Sequence, residues 1–70
     1  MDLMHIPLGQ PHNIQQIQTG DHALENFLFT LGCFVGEPIT VIARRRGSCT
    51  VSIKDGRYCI DRHLAQAILV

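Results

Sequence analysis

The chain has 70 residues, six basic and six acidic side chains, and a formal net charge of zero. That length holds one domain with a thin core, and a hydrophobic share of 46% is enough to build it and argues against disorder. A nucleic-acid binder usually carries a basic excess to neutralise phosphates, and this composition excludes one.

The leading segment, Met1 to Gly9, holds Leu3, Ile6 and Leu8 as anchors, and Pro7 keeps it from forming a regular helix. It has no basic n-region and no long apolar stretch, so it does not read as a signal peptide. No window approaches the roughly 20 apolar residues of a membrane-spanning helix. The expected location is the cytosol. Gly9-Gln10-Pro11 is a turn signal.

His12 to Thr19 predicts a strand with a bulge or bend. Ile14 and Ile17 are three residues apart, where strict alternation needs two. Gly20-Asp21 then breaks the strand. Asp21 to Leu31 predicts a helix, because Leu24, Phe27, Leu28 and Leu31 recur at i, i+3, i+4 and i+7. Asp21 suits the N-cap, and Gly32 suits the left-handed residue after the helix.

From Pro38 the pattern is β-rich. Ile39, Val41 and Ala43 alternate with Thr40, Ile42 and Arg44, and Arg44-Arg45-Arg46-Gly47 reads as a turn. Ser48 to Lys54 follows, with Val51 and Ile53 on one face. Asp55-Gly56 is a two-residue hairpin signal and returns the chain through Arg57 to Ile60. That loop pairs Lys54 with Arg57, Ser52 with Cys59 and Val51 with Ile60. Asp61 caps a short helical turn through Gln66, and Ala67 to Val70 is a last short strand. The expectation is a single all-β domain over residues 1–70, about five strands and one helix. Closing them into a barrel removes the exposed edges of so small a sheet.

The step Leu31-Gly32-Cys33-Phe34-Val35-Gly36 follows an apolar helix and precedes the strand Ile39-Thr40-Val41-Ile42. With Leu3, Ile6 and Gly9, the pair Ile14/Ile17, the Gly20 turn and the Ala65, Ile68 and Val70 ending, this order resembles the FeoA family of ferrous-iron transport accessory proteins. The resemblance spans Leu3 to Val70. It implies an SH3-like β-barrel and a cytosolic, non-enzymatic partner of FeoB, the transporter with a GTP-binding domain and a ferrous-iron channel. It also implies a likeness to the C-terminal domain of iron-dependent repressors, which leaves a metal-binding regulatory domain as the alternative function. Two positions depart from the family pattern. Phe27 stands where members often carry Arg, and Gly47-Ser48-Cys49 replaces a Gly-Asp-Pro-like turn.

Chemistry-bearing residues are few. There is no phosphate-cradling GxxxxGK[ST] loop and no local signature around Cys or His, so no catalytic residue is assigned. No metal ligand is assigned either: His5, His12, His22 and His63 read as solvated polar positions, and no Cys or His pair has metal-ligand spacing. No cofactor is expected, with divalent iron as the one candidate. Cys33, Cys49 and Cys59 are an odd set with no secretion signal, so reduced thiols are expected. Hairpin alternation puts Cys49 on the core face and Cys59 on the outer face. With no Trp and one Tyr, the chain lacks the aromatic groove that holds proline-rich peptides. The candidate partner-binding residues are Phe29, on the helix face away from Leu28, Phe34, which would make an apolar patch with an exposed Phe29, and the basic run Arg44, Arg45 and Arg46. Basic runs steer docking on acidic surfaces even at zero net charge, and exposed aromatics anchor interfaces.

Overall fold

A computed structural model describes residues 1–70. Six strands and two helices follow one another as β1 (Pro11–Asn13), β2 (Gln16–Ile17), α1 (His22–Thr30), β3 (Pro38–Arg45), β4 (Ser48–Ile53), β5 (Gly56–Asp61), α2 (Arg62–Ala67) and β6 (Ile68–Leu69). The strands form a four-stranded sheet in the order β1-β3-β4-β5 and a two-stranded sheet of β2 with β6. All pairings are antiparallel.

The barrel expected from the sequence is therefore not shut by one continuous ladder. The chain itself closes the ring at two places. Between β1 and β2, the Ile14 N–H donates to the Glu37 carbonyl at 2.9 Å, while the next N–H, of Gln15, donates to Leu69 at 2.7 Å. One residue step transfers the backbone from one sheet to the other. This is the bend that the spacing of Ile14 and Ile17 signals, and it splits the predicted strand in two. On the other side, α2 carries the chain from β5 to β6. Asp61 caps α2 by accepting from the Leu64 N–H at 2.8 Å.

Leu3, Ile14, Leu28, Ile39, Ile53 and Ile68 are all fully buried in one core cluster that draws on both ends of the chain. β4 shows its cause most plainly. Cys49, Val51 and Ile53 are buried, while Ser48, Thr50 and Ser52 between them are half-buried. Leu8 does not join this core. The turn falls at Leu8-Gly9, with Gly9 at φ 82°, so Leu8 swings out to 50% exposure and Pro11 opens β1 instead of ending the turn.

β3 departs from simple alternation. Val41 pairs with Val51, but Ala43 pairs with Thr50, so Ile42 is an extra residue in a β-bulge. A bulge exchanges the faces of everything beyond it. Ala43 turns outward, and Arg44 moves to the face it shares with the buried Cys49. There the Arg44 guanidinium donates to the Ile6 carbonyl of the leading segment. β3 also runs through Arg45, so the turn is only Arg46-Gly47 and not the four residues expected. Replacing Arg44 by Ala is expected to leave the Ile6 carbonyl without its donor and to cost about 1–3 kcal/mol. Replacing Arg46 at the tip is expected to change stability by no more than about 0.5 kcal/mol. Thermal melts of the two variants decide the matter: equal midpoints would mean that Arg44 is not a tie.

The β4–β5 hairpin corrects the expected register. Ile53 pairs with Gly56, Val51 with Tyr58 and Thr50 with Cys59, which makes Lys54-Asp55 the loop. The positive φ falls on Lys54, at 51°. Gly56 lies under the Tyr58 side chain instead, where a Cβ would come within 2.4 Å of the Tyr58 hydroxyl and displace it. Because the partner of Val51 moves by two residues, every side chain keeps its face. Cys49 is still inside and Cys59 outside.

Candidate functional site

The groove beside the C-terminus of α1 is built by local backbone chemistry. Asp21 caps the N-terminus by accepting from the Ala23 N–H at 2.8 Å. At the other end the Cys33 N–H donates to Leu28 at 3.1 Å and the Gly32 N–H to Phe29 at 3.0 Å, with Gly32 at φ 98°. This pair of bonds is the Schellman ending, which satisfies carbonyls the helix leaves free and needs a left-handed residue after the cap. Leu28 and Cys33 are both buried beneath it. Only Leu28 of α1 is fully buried, and Leu24 and Leu31 pack partly against the core. Phe27, expected on that face, is 47% exposed. It lies about 100° around the helix from Leu28, beyond the strip the barrel covers.

The reversal at Gly32 brings Phe34 back onto Phe29. Their rings stack with centroids 5.6 Å apart and planes 18° off parallel. Both stay open to solvent, Phe29 at 36% and Phe34 at 45% exposure. The Lys54 stem lies against Gly32, its ammonium sits 5.8 Å from the Phe34 centroid, and the same ammonium donates to Glu37 at 3.0 Å. Tyr58 and Gly56 form the far wall of a groove of about 510 Å³. Lys54 and Tyr58 had no signal in the sequence, because the hairpin brings them to the helix end only in three dimensions.

The five candidate partner-binding residues are not one surface. Phe29 and Phe34 are together. Arg45 and Arg46 are exposed at the β3–β4 turn, while Lys54 and Asp55 mark the other end of β4. At about 3.3 Å per residue, β4 separates the two sites by roughly 15–20 Å. Arg44 is turned inward.

The histidines lie apart. His5 Nδ1 meets the Asp2 carboxylate at 2.8 Å, His12 Nδ1 meets the Gln10 carbonyl at 3.0 Å, and His22 and His63 are exposed. No three His, Cys, Asp or Glu side chains converge in a way that could hold a metal ion. Burial works against the charge of Asp2, but hydrogen bonds from His5 and the Met4 N–H, helped by the nearby positive charges, outweigh it and hold its pKa below the ordinary carboxylate range. Its contribution to stability is present above that range and is lost as pH falls through the lowered pKa.

The thiols divide sharply. Burial pushes Cys33 up to about 11. It raises Cys49 too, with Arg44 pulling the other way and Cys59 adding to the rise. Of three thiols, only Cys59 is exposed. A thiol reagent is expected to modify Cys59 quickly in the native protein and the other two only on unfolding. Fast modification of all three would mean that the core opens readily. Above about pH 8.5 the unfolded chain releases thiol protons that the folded chain retains, so stability is expected to fall until the pH passes the raised native values.

The fold and the groove define a class: a small SH3-like β domain with an exposed aromatic cleft. The chain matches the FeoA domain family over residues 1–70 and belongs to it. That membership associates it with ferrous-iron uptake. Two solved structures share the fold. A manganese-dependent transcriptional repressor superposes with a TM-score of 0.88 at 23% identity, covering 97% of this chain and 39% of the repressor. An iron uptake regulatory protein, FeoA, superposes with a TM-score of 0.85 at 22% identity, covering 97% of this chain and 91% of that one. This chain therefore spans well under half of the repressor. A search of curated proteins finds no match. No helix is long and apolar enough to cross a membrane.

Proposed function

We propose that this protein is a non-enzymatic accessory module of ferrous-iron uptake that works in the cytosol and binds the cytosolic part of the FeoB transporter. Family membership over the whole chain supports the process. The observation that carries the binding mode is the stacked, solvent-open Phe29–Phe34 pair beside Lys54. Exposed aromatics in a preformed groove are the side chains that supply interface anchors. The arginine turn at the far end of β4 acts at longer range, raising the encounter rate with an acidic partner rather than holding it.

Titration of the cytosolic GTP-binding domain of FeoB with this protein is the test. Saturable binding, with an on-rate that falls as salt rises, is the expected result. No contact, under conditions where a control ligand of FeoB binds, would remove the transporter role. Anaerobic calorimetry with ferrous iron alone tests the alternative. Saturable uptake by the isolated protein would move the function to a metal-binding regulatory domain of the repressor kind.

A further inference from the structure

The outer edge of β5 is unused. β5 is the last strand of its sheet and pairs only with β4. With Lys54-Asp55 as the loop, Gly56, Tyr58 and Ile60 hold the hydrogen-bonded positions toward β4. The peptide groups of Arg57, Cys59 and Asp61 therefore point outward. No backbone bond outside the helices and strands takes up the Arg57 or Cys59 groups. All three residues are exposed. An edge in this state is a template for another strand unless something blocks it.

The charges on this edge select one pairing. Arg57 and Asp61 lie two residues either side of Cys59, on the same face of the strand. Neither has an ion-pair partner within the chain. Antiparallel pairing of two copies centred on Cys59 sets Arg57 of each copy opposite Asp61 of the other, twice over. The same register aligns the outward peptide groups with one another. A register that set Arg57 opposite Arg57 would place like charges face to face. The edge is thus self-complementary in a single register, as an isologous two-fold contact requires.

We propose that β5 is a homodimer edge, where a second copy of this chain adds antiparallel through Arg57, Cys59 and Asp61 to make one sheet of two β1-β3-β4-β5 halves. The contact is narrow, so the dimer is weak and forms with rising concentration. It leaves the Phe29–Phe34 groove, on the α1 side of the hairpin, free for a different partner.

Cys59 supplies the readout. Opposite residues at a hydrogen-bonded antiparallel pair have Cα atoms about 5.5 Å apart, inside the roughly 4.4–6.8 Å that a disulfide spans. Mild oxidation with copper–phenanthroline is expected to give a covalent dimer of the wild-type protein and none of Cys59→Ser. Arg57→Glu, which sets carboxylates opposite one another, should slow the cross-link about tenfold. Mixing Arg57→Glu with Asp61→Arg restores an opposite charge at both positions, and a mixed dimer should form faster than either variant cross-links alone. Asp61→Arg also removes the α2 cap, so its fold is checked by circular dichroism. If it is unfolded, Arg57→Glu and sedimentation of reduced wild type against concentration decide the question. Equal cross-linking of wild type and Arg57→Glu, or a wild-type monomer at millimolar concentration, would overturn the proposal.

Discussion

Leu28→Ala is expected to remove a large share of the protein's stability. Leu28 is fully buried and is the one residue of α1 in that state. Removing a buried leucine side chain costs about 2–5 kcal/mol, because the site loses transfer energy and retains part of the cavity. At roughly 0.05–0.15 kcal/mol per residue, a chain of this size has on the order of 3–10 kcal/mol to lose. Helix propensity does not account for the loss, since alanine is the better helix former. The effect lies in docking. A nine-residue helix is not stable alone in water, so α1 depends on the contact Leu28 makes beneath the Schellman turn. Urea unfolding reads the result. A midpoint equal to that of wild type, with an unchanged m-value, would show that α1 is not held to the barrel by this residue.

The double variant Phe29→Ala, Phe34→Ala is expected to do the reverse: to hold its fold and lose its partner. Both rings are open on one side, and a stacked aromatic pair contributes about 0.5–1.5 kcal/mol beyond its buried area. The melting point should therefore drop by only several degrees. Binding to the FeoB cytosolic domain should weaken by a factor of roughly ten or more, the usual cost of truncating an interface anchor. The single variants should not add, because each ring is the other's support. Wild-type affinity in the double variant would move the interface away from this groove, and Arg45→Glu with Arg46→Glu would then test the other end of β4. The groove takes Gly56 and Tyr58 from one face of β5 and the edge uses Arg57, Cys59 and Asp61 from the other, so Phe29→Ala with Phe34→Ala is expected to leave the Cys59 cross-link unchanged.

Much of the molecule is legible in its sequence. The two caps at Asp21 and Asp61, the left-handed Gly32 and the alternation of Cys49, Val51 and Ile53 are local effects, set by residues within a few positions of one another. So is the bend between Ile14 and Ile17, although not that it passes the backbone from one sheet to the other. Phe29 and Phe34 stand out in the sequence as a candidate patch, but that both rings stay exposed and stack is shown by the structure alone.

What only the tertiary structure decided depends on residues far apart in the chain. Ile42 carries no mark that makes it a bulge. That bulge takes Arg44 out of the expected basic cluster and ties it to Ile6, thirty-eight residues away. The hairpin register places Lys54-Asp55 in the loop rather than the Asp55-Gly56 pair that local turn preference favours, and sets the Tyr58 ring over Gly56. The ladder is not continuous: β2 and β6, each two residues long, pair only with each other, and the chain joins the two sheets through a bend and α2. Local patterns specify which residues face inward, since that is a matter of period and hydrophobicity. Which strand lies beside which, in what register, is settled by packing across the whole core, where many pairings satisfy the same pattern and only one fills the interior.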